Sequence, residues 1–130
     1  MYEQATGEIV VRAAPAFHEG ESNPARGHFV WIYSIEIENR GRAPVQLIAR
    51  HWRITDGNGL THDVRGEGVV GKQPVIEPGE VFSYTSVCPL ATPAGWMQGE
   101  YAMIDADTGA PFEIEIPAFA LESPHGPPPS

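Results

Sequence analysis

From Phe29 to Glu38 the chain alternates. Phe29, Trp31, Tyr33, Ile35 and Ile37 are large and apolar, while Val30, Ile32, Ser34, Glu36 and Glu38 grow polar toward the end. Only a strand sends successive side chains to opposite faces, so this period of two predicts a strand with one buried face. Such a face needs a second layer to cover it, and the rest of the chain supplies candidates.

Glu8–Ala13 reads as a first strand that continues brokenly past Pro15 to Phe17, and His18–Gly27, with Gly20, Asn23, Pro24 and Gly27, reads as a loop. After the turn at Asn39–Pro44, Val45–Thr55 reads as a long strand with Leu47, Ile48, Trp52 and Ile54 as core candidates, though its alternation is blurred. Asp56-Gly57-Asn58-Gly59 is a hairpin turn, because Asp-Gly and Asn-Gly accept positive φ at little cost, and Leu60–Arg65 returns antiparallel. Val81–Val87, rich in β-branched and aromatic residues, reads as a strand, and Pro89–Gly95 as a loop. Met97–Ala106 and Pro111–Pro117, the latter extended by Phe119 and Leu121, complete the set.

About seven short strands with regular turn signals and no convincing helix predict an all-β fold, a fibronectin type III or immunoglobulin-like antiparallel β-sandwich. The segment from Pro93 to Tyr101 is similar to the tyrosine corner of such sandwiches. Ser123–Ser130, dominated by proline, reads as a disordered tail.

Gly66-Glu67-Gly68-Val69-Val70-Gly71, followed by Lys72, has the G-x-G-x-x-G spacing of a dinucleotide phosphate loop. In that setting the glycines open a helix whose N-terminal N–H groups hold the pyrophosphate. Here they lead into Gln73-Pro74-Val75-Ile76-Glu77-Pro78-Gly79, where two prolines and a glycine exclude a helix. Two readings stay open. Consecutive N–H groups flanked by Arg65 and Lys72 could cradle an anion without a helix. Alternatively the glycines permit unusual φ at a sheet edge or bulge. Glu67 in mid-loop weighs against a bound phosphate.

Seventeen acidic against eight basic residues give a net charge of −9, a field that repels a nucleic-acid backbone. The start Met1-Tyr2-Glu3-Gln4 lacks the basic and apolar regions of a secretory signal, and no apolar run is long enough for a bilayer helix. The single cysteine, Cys88, rules out an internal disulfide framework and suits a reducing compartment. A soluble cytoplasmic protein without membrane insertion is expected.

A family resemblance runs through the chain. Phe29-Val30-Trp31-Ile32-Tyr33, Ile37-Glu38-Asn39-Arg40-Gly41 and Val45–Trp52 are similar to the ApaG family, as are Ile54–Gly59 and Val64–Pro74. Pro78-Gly79-Glu80, Tyr84-Thr85-Ser86, Cys88-Pro89-Leu90, Pro93-Ala94-Gly95 and Phe112–Pro117 continue the match, which spans roughly residues 5–121 in order. The resemblance implies a single ApaG domain over residues 1–122 in a bacterial cytoplasmic protein. It also implies a genetic link, through the alternative family name CorD, to cobalt tolerance and magnesium flux. Related domains within larger eukaryotic proteins look like recognition modules, and the resemblance establishes no enzymatic activity.

The remaining chemical candidates are modest. Arg50 and Trp52 share one face of their strand, His51 and Arg53 the other, and with Arg65 they could make a small basic aromatic patch or pair across strands with carboxylates. His18, His28, His51, His62 and His125 show no metal-binding spacing; His51 and His62 could face each other across the Asp56–Gly59 hairpin, with Asp63 near. Asp105 and Asp107 beside Thr108-Gly109 suit either a cation or a turn. Cys88 reads as a small buried thiol, Ser83, Thr85 and Ser86 lack a nucleophile's setting, and no carboxylate pair forms an acid/base frame. No cofactor, metal site or enzymatic activity is predicted.

The expected function is a non-catalytic protein-interaction module. Arg65, Gly66, Gly68, Gly71, Lys72 and Trp96 are its contact candidates, and another protein is the partner. The alternative is a binder of a small anion, such as a nucleotide or pyrophosphate, or of a divalent cation, through the Gly66–Lys72 loop. Edge strands of a sandwich could also pair two copies as a homodimer.

Overall fold

The alternating segment forms an interior strand of a sheet, as its uniformly apolar face requires. The structure, a computed structural model, describes residues 1–126. In chain order the strands are β1 (Tyr2–Thr6), β2 (Ile9–Phe17), β3 (Phe29–Asn39), β4 (Val45–Asp56), β5 (Thr61–Glu67), β6 (Val75–Ile76), β7 (Val81–Leu90), β8 (Gly95–Asp105) and β9 (Pro111–Leu121). One antiparallel sheet runs β1-β2-β3-β7. The other runs β5-β4-β8-β9, with β6 continuing the β5 side of β4. Trp31, Ile35 and Ile37 of the first sheet pack against Leu47, Trp52, Tyr101 and Phe119 of the second, all of them buried. The two layers make the expected sandwich.

The differences from expectation have local causes. β1 and β6 bring the strand count from about seven to nine among the described residues. β1 carries no hydrophobic signature because it lies at the sheet edge with its side chains largely exposed, and pairing with β2 holds it. β7 does not stop at Val87 but runs through Pro89 to Leu90. Proline is tolerated there because β7 is an edge strand and its outer side has no ladder to complete. His18–Gly27 holds two short 3-10 turns, Glu19–Glu21 and Pro24–Arg26.

Tyr101 is not a tyrosine corner. It sits in mid-β8, fully buried, and its hydroxyl bonds the Tyr84 hydroxyl of the opposite sheet rather than a nearby backbone group. The expected disordered tail is corrected in its first part. Ser123 Oγ donates to the Pro93 carbonyl at 2.6 Å, the Trp31 indole donates to the Glu122 carbonyl at 2.8 Å, and the His125 ring packs on Phe17 and Phe29. Residues 127–130 of that tail lie outside the described residues.

The blurred pattern of β4 has a single origin. In its pairing with β8, Leu47 meets Met103 but Ala49 meets Ala102, so Ile48 is an extra residue, a β-bulge. Before the bulge the odd positions Val45 and Leu47 face the core; after it the even positions do, and Trp52 is buried. The bulge therefore turns Arg50 inward and His51 and Arg53 outward.

Candidate functional site

The two long sides of the sandwich differ. On one, β1 and β2 lie against β9, closing the gap between the sheets. On the other, the edges β7 and β5 leave the gap open as a cleft of about 380 Å³, lined by Tyr33, Arg50, Trp52, His62, Val64, Ser86, Cys88 and Leu90 among others. Arg50 is a cation among largely apolar walls. Its Nη1 donates to the carbonyls of Glu67 at 3.1 Å and Gly68 at 2.8 Å. The bulge at Ile48 is what brings this side chain to the cleft.

Below it lies a polar floor. The Tyr84 and Tyr101 hydroxyls bond each other across the sheets, and Tyr33 pairs with Ser86 across the β3–β7 ladder. Burial raises all three tyrosines above the ordinary phenol range. They are therefore neutral hydroxyls at physiological pH. Burial likewise pushes the Cys88 thiol up to about 11, which keeps it a thiol rather than a nucleophilic thiolate.

The glycine loop is built around this cleft. A Cβ on Gly66 would come within 2.8 Å of the Arg50 guanidinium, so Arg50 occupies the place a side chain at 66 would take. Gly68 has φ +62 and no room for a Cβ against the Lys72 carbonyl. Val69 and Lys72 exchange backbone bonds of 2.8 and 2.9 Å around Val70 (φ +45) and Gly71 (φ +79), the geometry of a type I′ turn. Gly68 N donates to the Ile48 carbonyl at 2.8 Å, and the Gln73 amide donates to the same oxygen at 3.0 Å, which ties the loop to the bulge. Val69 is 1% exposed and plugs the sandwich corner. The N–H groups of Gly68, Val69 and Lys72 are thus already engaged inside the protein.

The other predicted residues are dispersed. Arg65 stands opposite His51 on the outer face of the β4–β8 sheet, beside a groove of about 540 Å³ that also presents Glu67, Glu100 and Glu113. Lys72 is outside that lining. His51 lies between Asp63 at 2.7 Å and Glu100 at 2.8 Å, and Arg53 makes a two-pronged contact to Glu100 at 3.0 and 2.8 Å. The Arg53 guanidinium holds the Glu100 carboxyl below its ordinary range, and His51 does the same for Asp63. The outward basic residues His51 and Arg53 thus pair across strands with carboxylates.

His62 pairs with Ile54 and turns to the cleft, so His51 and His62 do not face each other; they lie on opposite faces of the sheet. Asp105 accepts the N–H groups of Asp107 and Thr108 at 2.9 and 3.0 Å, which makes it a turn-forming residue. Among the described residues no group of three His, Cys, Asp or Glu is placed to hold a metal ion. Trp96 is 38% exposed on the outer face, opposite Thr55. That places it about seven residues, or ~23 Å, along β4 from the glycine turn, so the two predicted contact regions sit at opposite ends of the sandwich. Two features escaped the sequence reading: the inward aim of Arg50, and the free edge of β7. The uncharged run Val81–Leu90 was the signal available for the second.

No helix among the described residues is long and apolar enough to cross a membrane. The family model described as the ApaG domain matches residues 19–105. A protein named ApaG from Methylorubrum extorquens (strain PA1) is 55% identical over 125 residues, covering 96% of this chain and 95% of that protein. The ApaG protein of Rhodospirillum centenum is 51% identical over 126 residues, covering 97% and 96%. Among solved structures, an ApaA protein from Bordetella pertussis superposes with a TM-score of 0.85 at 45% identity, covering 89% of this chain and 94% of that one.

Proposed function

The chain belongs to the ApaG family, and from that premise we propose that it is a non-catalytic protein-interaction module whose contact surface is the open side of the sandwich. The observation that carries this reading is the edge strand β7. It is ten residues long and bears no charged side chain, with Val81 47% and Val87 59% exposed. Native sheets blunt their edges with charge, bulges or cover, because an unpaired ladder recruits other chains. The facing edge β5 is blunted in this way, carrying His62, Asp63, Arg65 and Glu67. An edge left bare in a chain of net charge −9 fits a docking strand. Trp96 and the Gly66–Lys72 turn are secondary contact candidates, at the ends of the domain.

The non-catalytic part of the reading rests on the state of the available groups: a buried protonated thiol, neutral tyrosines, and carboxylates engaged by His51 and Arg53. Nucleotide or pyrophosphate binding at the glycine loop ranks below it, because the N–H groups of Gly68, Val69 and Lys72 are spent on the loop's own turn and on Ile48. An influence on cobalt tolerance or magnesium flux, as the family resemblance implies, would be exerted through the partner, in a cytoplasmic setting.

The test is affinity capture from a bacterial extract with the full chain and its Val87→Lys and Thr85→Pro variants. Both positions point outward on β7, so the core is undisturbed. A protein retained by the parent and lost with both variants supports the reading. Retention unaffected by either would place the contact elsewhere, and saturable binding of diadenosine tetraphosphate to the Gly66–Lys72 amides by NMR would favour the anion reading instead.

A further inference from the structure

We infer that the open side receives an extended peptide segment of the partner, added as a strand to β7, with an acidic side chain turned inward onto Arg50. This rests on the interaction reading and specifies its ligand.

Three observations converge on it. The first is the free backbone of β7, which offers the ladder that β-strand addition uses. The second is the position of the cleft. A strand laid beside β7 sends every second side chain into the gap between the sheets, where Trp52, Val64 and Leu90 offer apolar walls. The third is the state of Arg50. The half-buried arginines are Arg12, Arg50 and Arg53. Arg12 meets Glu38 at 2.9 Å and Arg53 meets Glu100 at 2.8 Å. Arg50 alone of the three has no carboxylate within ion-pair reach among the described residues, and only its Nη1 is occupied, by two backbone carbonyls. A guanidinium carries five N–H donors. Arg50 lines both this cleft, where Tyr33 and Ser86 stand and no carboxylate does among the described residues, and the outer groove with Glu67, Glu100 and Glu113, none of them within ion-pair reach.

The complementary segment reads apolar, any, acidic, any, apolar. The apolar residues fill the cleft on either side, the acid pairs with Arg50, and the alternate positions face solvent. Because Gly66 leaves the guanidinium its place and the Gly68 carbonyl holds it, the cation is fixed before the ligand arrives.

The experiment titrates the ¹⁵N-labelled full chain with the synthetic peptide Lys-Val-Thr-Glu-Thr-Val-Lys, acetylated and amidated at its ends. Saturable shifts on the Val81–Leu90 amides are expected, with affinity about tenfold higher than for the same peptide carrying Gln in place of Glu. In the Arg50→Met variant the two peptides should bind alike, whereas Arg50→Lys should keep part of the preference; each variant's own amide spectrum shows that it is folded. A peptide N-methylated at both threonines should lose binding if a ladder forms.

Equal affinity of the Glu and Gln peptides for the parent would overturn the acidic specification. If β7 variants still abolished partner capture, the interaction role would survive that result. Binding indifferent to N-methylation, or matched by N-acetylglutamate alone, would replace the peptide with a small carboxylate ligand. Concentration-dependent shifts of β7 without peptide would assign the edge to a second copy of this chain.

Discussion

The closed and open sides of this sandwich use the same kinds of residue to different ends. On the closed side Phe119 of β9 meets Tyr2, Tyr33 and Trp52 at ring separations of 5.9 to 6.0 Å, and strands β1 and β2 cover the gap. On the open side Trp52 and Val64 line a cleft that no strand among the described residues covers, and the Tyr84 and Tyr101 hydroxyls bond each other across the sheets. Apolar surface that is covered contributes stability; the same surface left at an edge is available for association. Stability and recognition are thus divided between the two sides, with Trp52 reaching both.

The largest effect that could break this contrast is a pair of truncations. Phe119→Ala should cost about 3–5 kcal/mol in a denaturant titration, whereas Val64→Ala on the open side should stay within about 0.5 kcal/mol. Comparable losses would mean the cleft is part of the stabilising core. Next comes the tyrosine floor. Tyr84→Phe strands the Tyr101 hydroxyl without a partner and should cost about 1–3 kcal/mol, and adding Tyr101→Phe should recover much of that loss. Equal or additive losses in the double variant would show that the pair is not what holds the floor.

Smaller and opposite effects are expected at the corner of the open side. Gly68→Ala, blocked by positive φ and by the Lys72 carbonyl, should destabilise by about 1–2 kcal/mol. Val70→Asn, two residues on, relieves a β-branched residue at φ +45 and should stabilise by about 0.5–1 kcal/mol. Thermal unfolding that moves both in one direction would contradict the turn assigned here. The smallest effect is a control that belongs to neither side. Glu100 titrates below its ordinary value of 4.5, so its pairing with Arg53 stabilises the fold above that pH and is lost progressively as pH falls below it. Glu100→Gln should therefore lower stability slightly at pH 7 and by less as the pH falls, narrowing the difference between neutral and acidic values.

How much of this was legible in the chain follows from which signals are local. β3 was readable because its alternation runs unbroken and one face is uniformly apolar. β1 was not, because Tyr-Glu-Gln-Ala-Thr has no apolar face and is a strand only by virtue of its partner. The pairing of Arg50 with Trp52 on one face was visible; that this face looks inward was not, since it depends on a residue that the β8 ladder skips. The glycine motif shows the same limit. Its spacing suggests an anion, while the reasons for Gly66 and Gly68 are an arginine sixteen residues upstream of the first and a carbonyl four residues downstream of the second, both visible only in three dimensions.

Ile48 has a consequence for how this chain can change. Because it is the supernumerary residue of β4, losing that one codon would restore regular pairing and keep every later residue on its present face, since Leu47 and Arg50 would then stand two positions apart in an unbroken alternation. Arg50 and Trp52 would stay inward and His51 and Arg53 outward; what would go is the Ile48 carbonyl that accepts from Gly68 and Gln73 and ties the glycine turn to the strand. Losing a residue from the regular stretch between Arg50 and Asp56 would instead exchange inside for outside in all that follows it, so β4 can shorten at its bulge without inverting its faces and nowhere beyond it.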